Sequence, residues 1–375
     1  SGCAGGTPGT APVPEADSHW PAEMHRLVQT QEAAVINGRT DVYMQTIVGD
    51  DPLYRQEQRR WVDDAVTFVH GKTYRRFVRR FLQRLSPHEV VALVEQSVID
   101  GRRSFSVQVP VRFRRTREGW KDADFPFWQL EASHGVVKVT HRDLLPLAAD
   151  LLERIRHVEQ RLSALYGWSP RRPVTLKLYG DADWFRQSVK LSLPTWVGGW
   201  YEDGESIKLL VDETARRRLE ERAVYESVVI HEMVHLMLAD LTNNNAAYWL
   251  HEGLAEHVTA LLDALPENDA LPALDREPLW SWPELAAVQL ERLPPQRARA
   301  YYQQARLVVA FLLDCYDDER LQAVFARLQQ YPRMANGAAD RQRELHVRTV
   351  QALEHVLQKP FAELADEWWR WVTAR

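Results

Sequence analysis

Two histidines and a glutamate stand close together in the segment VVIHEMVHLML. His231 and His235 are four residues apart, so on a helix both imidazoles lie on the same side, one turn from each other. Two imidazole nitrogens placed in this way can ligate one Zn²⁺ ion at about 2.0–2.1 Å from each nitrogen. Glu232 lies about 100° round the helix from His231, where its carboxylate is left to hold an attacking water. This HExxH pattern favours metal-assisted hydrolysis.

A second acidic segment, YWLHEGLAEH, supplies a candidate third ligand. Glu252 follows His235 by 252 − 235 = 17 positions, an interval that fits a turn and a short helix returning to the same point. Three protein ligands with one open position are typical of a catalytic zinc site. The alternative is a buried helix that contains His and Glu by coincidence, and the second segment is what favours the metal site.

The phrase WLHEGLAE resembles the WLxEGxAE phrase of the gluzincin metallopeptidases, which include the M1 aminopeptidases and smaller peptidase MA-like proteins. The specific part of the resemblance spans residues 224–258. It implies that His231, His235 and Glu252 bind one Zn²⁺ ion and that Glu232 is the general base. The spacing of the two segments, the residue types and the flanking apolar residues all agree with this family pattern.

Other residues are assigned more indirectly. Glu256 lies one turn after Glu252 and is predicted to accept the free N–H of a ligand histidine, with a plain surface carboxylate as the alternative. The stretch AYYQQARLVVAFLLD resembles an M1 segment whose tyrosine stabilises the oxyanion. That register implies Tyr302 for the role, with Tyr301 as the neighbour that would replace it. The alternative is that both tyrosines only cap and pack the helix.

The stretch VGGWYEDGESIKLLV is where we expect the edge strand that pairs with the substrate backbone. Gly198 and Gly199 would permit close approach of the substrate. M1 enzymes carry a GxMEN-type motif here, whose acidic residue binds a free N terminus, whereas this chain has GGWYED. Aminopeptidase specificity is therefore not implied, although Glu202 is a possible substitute.

The composition is that of an ordinary globular protein. The chain has 375 residues, of which 45% are hydrophobic and 26% charged, and its formal net charge is -5. This length predicts two domains, and the absence of excess basic charge argues against nucleic acid as a partner. No run of eighteen apolar residues occurs, so we expect no membrane-spanning segment.

The first part of the chain predicts helices followed by strands. The pattern is helical from Trp20 to about His70, and SFSVQVPVRF alternates with the period of a half-buried strand. The segment TYRRFVRRFLQRLSPHEVVALVEQSVI fits either a helix or strands, and we favour strands flanking Ser86 to His88. Helices followed by a curled antiparallel sheet resemble the cone-shaped NTF2-like domain, over residues 20–141.

The remainder predicts a second domain. A long amphipathic helix is predicted to begin near Asp143. After it, VTLKLYG predicts a strand and GGWYEDGESIKLLV predicts a hairpin. The later sequence is helical in character, with breaks near Pro266 and Pro294. The predicted fold class is α+β. An NTF2-like helix-plus-curved-sheet domain over residues 20–141 precedes a mainly α-helical gluzincin metallopeptidase domain, with a small mixed β-sheet, over residues 142–375.

The two cysteines lie in different settings. Cys3, in SGCAGG, resembles the cleavage box of a bacterial lipoprotein, and residues 1–19 resemble its flexible tether. This resemblance implies an extracytoplasmic protein anchored to a bacterial membrane by a lipid on Cys3. The alternative is that Ser1 and Gly2 are vector residues before a disordered tail. Cys315 lies in an apolar helical stretch and is predicted to be buried.

These residues predict a zinc-dependent peptidase that acts on a peptide or protein. The alternative, from another functional class, is a membrane-anchored binding or scaffolding protein that retains the peptidase fold without turnover.

Overall fold

The computed structural model describes residues 20–211, 222–263 and 278–374. The predicted lipid site at Cys3, the tether that contains it and the predicted break near Pro266 lie outside the described residues. The lipid anchor and the location that it implies therefore stay predictions. The described residues form two compact units.

The first unit contains the described residues up to Asp50 together with Val69–Pro126. It has two helices and a four-stranded antiparallel sheet whose strands follow one another in chain order. Its elements are α1 (Trp20–Ile36), α2 (Thr40–Gln45), β1 (Thr73–Ser86), β2 (Glu89–Asp100), β3 (Arg103–Thr116) and β4 (Gly119–Asp122).

Strands β1 and β2 come from the segment whose pattern fitted either a helix or strands. Tyr74, Arg76 and Val78 are buried and alternate with exposed residues, which is the period of a strand. Met24 of α1 packs with Phe113 of β3 in the core of this unit. The prediction of strands is confirmed, while the NTF2-like identity stays a prediction.

The second unit contains a five-stranded mixed sheet with the order β5-β6-β7-β9-β8. β6, β7 and β9 are parallel, whereas β5 and β8 pair antiparallel at the two edges. The strand at VTLKLYG and the hairpin of β8 and β9 are confirmed. The elements are β5 (Trp128–Ala132), β6 (Gly135–Val139), α4 (Leu145–Tyr166), β7 (Val174–Tyr179), α5 (Ala182–Val189), β8 (Gly199–Trp200) and β9 (Ile207–Leu210).

The compact units do not share their bounds with the predicted domains, which stay predictions. Helix α3 (Pro52–Val69) lies mainly in the second unit, which takes Asp51–Phe68 and then the chain from Phe127. The physical reason is a buried ion pair, since the Glu57 carboxylate accepts from Lys177 Nζ of β7 at 2.7 Å. β5 and β6 also belong to this unit, because β6 pairs in parallel with β7.

The rest of the second unit is helical, as predicted. The proline break is observed: Pro294 is the N-cap of a helix that begins with a second proline, Pro295, at its first position, where the missing N–H costs nothing. The helices are α6 (Arg222–Leu241), α7 (Tyr248–Asp263), α8 (Trp282–Ala287), α9 (Pro295–Tyr316), α10 (Asp318–Gln329), α11 (Arg341–Leu357) and α12 (Phe361–Thr373).

The prediction for Cys315 is wrong, because this side chain is exposed. The buried residues of α9 include Val308, Val309 and Phe311, whereas Cys315 lies on the outer face of the last turn. None of the helices in the described ranges combines the length and the apolarity that crossing a bilayer requires.

Candidate metal centre

Helix α6 carries the HExxH residues on the side that faces a cavity. Its opposite side is packed into the core, where Ile230, Met233 and Val234 are fully buried. The imidazole rings of His231 and His235 have centroids 4.7 Å apart, as expected for side chains one turn apart. The apolar packing of α6 therefore fixes the helix from which both imidazoles project.

The turn TNNNAA connects α6 to α7 and reverses the chain. Asn243 and Asn244 have positive φ angles of 53° and 58°, a conformation that asparagine tolerates better than most residues. The Asn244 side-chain amide donates to the Met334 carbonyl at 2.8 Å, and the Asn243 amide donates to the Tyr331 carbonyl at 3.0 Å. These bonds fix the turn that brings α7 back to α6.

Glu252 of α7 lies against both histidines. Its Oε2 atom is 3.2 Å from His231 Nε2 and 3.4 Å from His235 Nε2. Ligand atoms at about 2.0–2.1 Å from a tetrahedral zinc ion are about 3.3–3.4 Å from one another, which is close to both measured distances. These three residues could hold a metal ion, since one ligand atom from each lies within 4.8 Å of the others. The donor types also suit zinc.

Glu256, one turn further along α7, lies with its Oε1 atom 3.1 Å from His231 Nδ1. A carboxylate that accepts a hydrogen bond from Nδ1–H fixes the tautomer in which the Nε2 lone pair of the same imidazole is free to bind a metal. Nδ1 of His235 is buried without a hydrogen-bond partner in the described part of the chain. The structure therefore gives the Nδ1 atom of one candidate ligand histidine a carboxylate partner, whereas within the described residues the Nδ1 atom of the other has none.

Burial and neighbouring charges shift the pKa values of Glu252, Glu232 and His251. Burial would raise the pKa of Glu252, but the two histidines oppose it and hold that pKa well below its usual value. Burial also raises the pKa of Glu232, and here it outweighs the histidines. His251 lies beside this group, with its ring centroid 5.5 Å from that of His235, and burial lowers the pKa of His251 to about 3.

The two predicted substrate glycines have different surroundings. A Cβ atom built on Gly199 would lie 2.6 Å from Oε1 of Glu232, whereas one built on Gly198 would meet nothing within 4 Å. Gly199 lines the cavity and Gly198 is not among the lining residues. β8 therefore runs against the HExxH helix, and Gly199 leaves room for the Glu232 carboxylate.

Both candidate tyrosines line the same cavity. The ring centroid of Tyr302 is 6.1 Å from that of His231, and the Tyr301 ring packs against Trp280 at 6.4 Å. Burial and the nearby Glu252 raise the pKa of Tyr302 well above its ordinary value. A tyrosine hydroxyl that keeps its proton can donate a hydrogen bond.

The cavity has a volume of about 460 Å³, and its wall brings together most of the predicted site. Glu256 and Gly198 are not among its lining residues. Arg341 and Tyr248 do line it, and no sequence motif pointed to either of them. Arg341 lies 93 residues from Tyr248, so no local spacing could have indicated that the two meet.

Residues 156–340 match the family model of the Peptidase MA superfamily. No curated protein matches the chain. The peptidase MA-like region contains the three candidate metal ligands, Glu232 and both tyrosines. The matched region begins within α4 and ends just before α11. Helices α3, α11 and α12 of the second unit therefore lie outside it.

Proposed function

We propose that this chain is a zinc-dependent peptidase in which His231, His235 and Glu252 hold one Zn²⁺ ion. The observation that carries the proposal is the convergence of Glu252 Oε2 on the two Nε2 atoms, at 3.2 and 3.4 Å. The match of residues 156–340 to the Peptidase MA superfamily supports a peptidase-like domain and a peptide or protein as the substrate.

When bound, a Zn²⁺ ion with three protein ligands supplies Lewis-acid chemistry, because it makes water more acidic and polarises a peptide carbonyl. Glu232 acts as the general base, taking a proton from the attacking water and passing it to the leaving amine. Its raised pKa suits a group that must both accept and return a proton. Tyr302 donates a hydrogen bond to the carbonyl oxygen as negative charge develops there.

Strand β8 aligns the substrate in this proposal. It is only two residues long and lies at the edge of the five-stranded sheet, next to the Glu232 carboxylate. An extended peptide laid along this edge can bond to the backbone of β8. Such pairing would bring a peptide carbonyl towards Glu232 and Tyr302.

The experiment is cleavage of a mixed peptide library, with and without a chelator, by the native protein and by Glu232→Gln. We expect the variant to keep its zinc and to lose about 10²- to 10⁴-fold in rate, the usual contribution of a general base. Glu226→Gln is the matched control and should stay active. Glu226 lies on the same helix, but its Oε2 atom is 3.9 Å from Arg154 Nε, with which it forms an ion pair. Full activity in Glu232→Gln would refute the role. Zinc binding without any cleavage would instead favour the binding or scaffolding alternative.

A further inference from the structure

Arg341 is the first residue of α11 and lines the same cavity as the candidate metal ligands. Its side chain is largely buried, since the residue is only 9% exposed. Nη1 donates to the Tyr248 hydroxyl at 2.8 Å, and Nη2 donates to Asn244 Oδ1 at 3.1 Å. Both partners are electrically neutral.

The Arg341 guanidinium has more N–H donors than these two hydrogen bonds use. Of its five N–H groups, two make these bonds and three remain, and the Nε atom is buried without an acceptor in the described ranges. In those ranges no carboxylate oxygen lies within 4.0 Å of the Arg341 nitrogens, the distance that defines an ion pair. Glu291 and Asp203, which also line this cavity, are already paired with Lys190 and Arg333.

A buried charge without a counter-charge is costly. The carboxylate of Glu202 lines the same cavity, and Arg341 lowers its pKa through space. Burial and the neighbouring Glu205 nevertheless raise that pKa overall, and no oxygen of Glu202 lies within ion-pair distance, 4.0 Å, of the Arg341 nitrogens. A carboxylate brought in by a ligand would supply what Arg341 lacks, because a guanidinium can bind both carboxylate oxygens at once.

We propose that Arg341 is a specificity-determining residue that binds a carboxylate group of the substrate. The inference rests on the proposed peptidase function for the identity of the ligand as a peptide. The carboxylate comes either from a free C terminus or from an aspartate or glutamate side chain. The chemistry at Arg341 is the same for both sources, so the experiment must separate them.

Peptide binding to the Glu232→Gln protein, measured by calorimetry, tests this without requiring turnover. Trialanine is compared with trialanine amide for the C-terminal source, and acetyl-Ala-Glu-Ala amide with acetyl-Ala-Gln-Ala amide for the side-chain source. We expect the carboxylate member of one pair to bind about 10- to 100-fold more tightly, as for hydrogen bonds to a charged group. Equal affinities within both pairs would overturn the inference, and this comparison does not depend on any further variant.

Arg341→Gln in the same background should abolish that preference, and Arg341→Lys should retain a smaller one. Arg292→Gln is the matched control, because Arg292 is an exposed cation that lines the same cavity, and it should leave the preference intact. A preference that survives Arg341→Gln, or that is lost equally in Arg292→Gln, would overturn the assignment to Arg341. Carboxylate-dependent binding in a native protein that cleaves no peptide would contradict the peptidase proposal alone.

Discussion

The carboxylate of Glu232 fills the space that a side chain at residue 199 would need. A Cβ atom on Gly199 would lie 2.6 Å from Glu232 Oε1 and 3.1 Å from a methyl group of Val228. The glutamate is a flexible side chain, so a methyl group there displaces the carboxylate and leaves the helix in place. The requirement for glycine thus arises from the proposed general base.

Gly199→Ala should therefore lower kcat by at least about tenfold while leaving stability nearly unchanged, since a small misplacement of a catalytic group is costly. Gly198→Ala is the matched control, because its Cβ atom meets nothing within 4 Å. Peptide hydrolysis and thermal unfolding of both variants give the comparison. Equal activity of the two variants would count against the positioning of Glu232 by Gly199.

Individual residues differ in how far the sequence predicts them. His231, His235 and Glu252 were predictable, because the helix period and one turn suffice to bring their side chains together. Arg341 was not, since it meets Asn244 from a position 97 residues later and no repeat or spacing indicates such a contact. The opposite surroundings of Gly198 and Gly199 also depend on where α6 lies, which their local sequence does not contain.

At the scale of elements, α7 is held against α9 through a close backbone approach. A Cβ atom on Gly253 would lie 2.2 Å from the Ala305 carbonyl oxygen, and 2.7 Å from the carbonyl carbon of the same residue. Backbone atoms within a helix cannot move aside as a flexible side chain can. Because Gly253 follows Glu252 directly, this contact also fixes the position of the third candidate ligand.

Gly253→Ala should destabilise the protein by about 2 kcal/mol or more, because the added methyl group forces the two helices apart. It should also weaken zinc binding by displacing Glu252. Gly337→Ala, whose Cβ atom meets nothing within 4 Å, is the control, and urea unfolding with zinc titration measures both effects. A stable Gly253→Ala protein with native zinc affinity would contradict the close approach.

Elements with a strong period were predicted well, and tertiary contacts decided the rest. β3 alternates clearly, whereas the segment of β1 and β2 fitted two patterns because the apolar residues of β1 also have helical spacing, although Phe77 and Leu85 are exposed. β1 also carries Arg76 at a buried position. That arginine is accommodated by bonds to Gln31 and Gln96. The sequence shows the charge but not the partners that permit its burial, so the period alone was ambiguous.

For the molecule as a whole, α3 belongs to the unit that holds the candidate metal centre. Glu57 lies between two lysines, with its Oε2 atom 2.7 Å from Lys177 Nζ and 3.3 Å from Lys208 Nζ, and all three side chains are nearly inaccessible. Burial would raise the pKa of Glu57, but the two ammonium groups outweigh it and hold the pKa well below its usual value. A contact across 120 residues could not be read from local patterns, so the sequence did not indicate that Glu57 and Lys177 meet.

Glu57→Gln should destabilise the protein by about 3–5 kcal/mol, because it leaves two buried ammonium groups without a counter-charge. In the native protein, the stabilisation by Glu57 should be complete above the pKa of about 4.3 that a glutamate has in the unfolded chain. It should fall as the pH drops below that value, since the Glu57 carboxyl has a lower pKa in the folded protein than in the unfolded chain. Urea unfolding across pH measures both effects. Asp63→Asn, at an exposed position on the same helix, is the control. A loss below about 1 kcal/mol at neutral pH would contradict the role of Glu57.

The central claim is that His231, His235 and Glu252 together bind one zinc ion, and zinc stoichiometry by elemental analysis tests it most directly. The protein is loaded with zinc, dialysed, and compared with Glu252→Gln and His235→Ala, each checked for native folding. The account predicts about one zinc per chain in the native protein and strongly reduced zinc in both variants. Undiminished stoichiometry in both variants, or no retained zinc in the native protein, would contradict it.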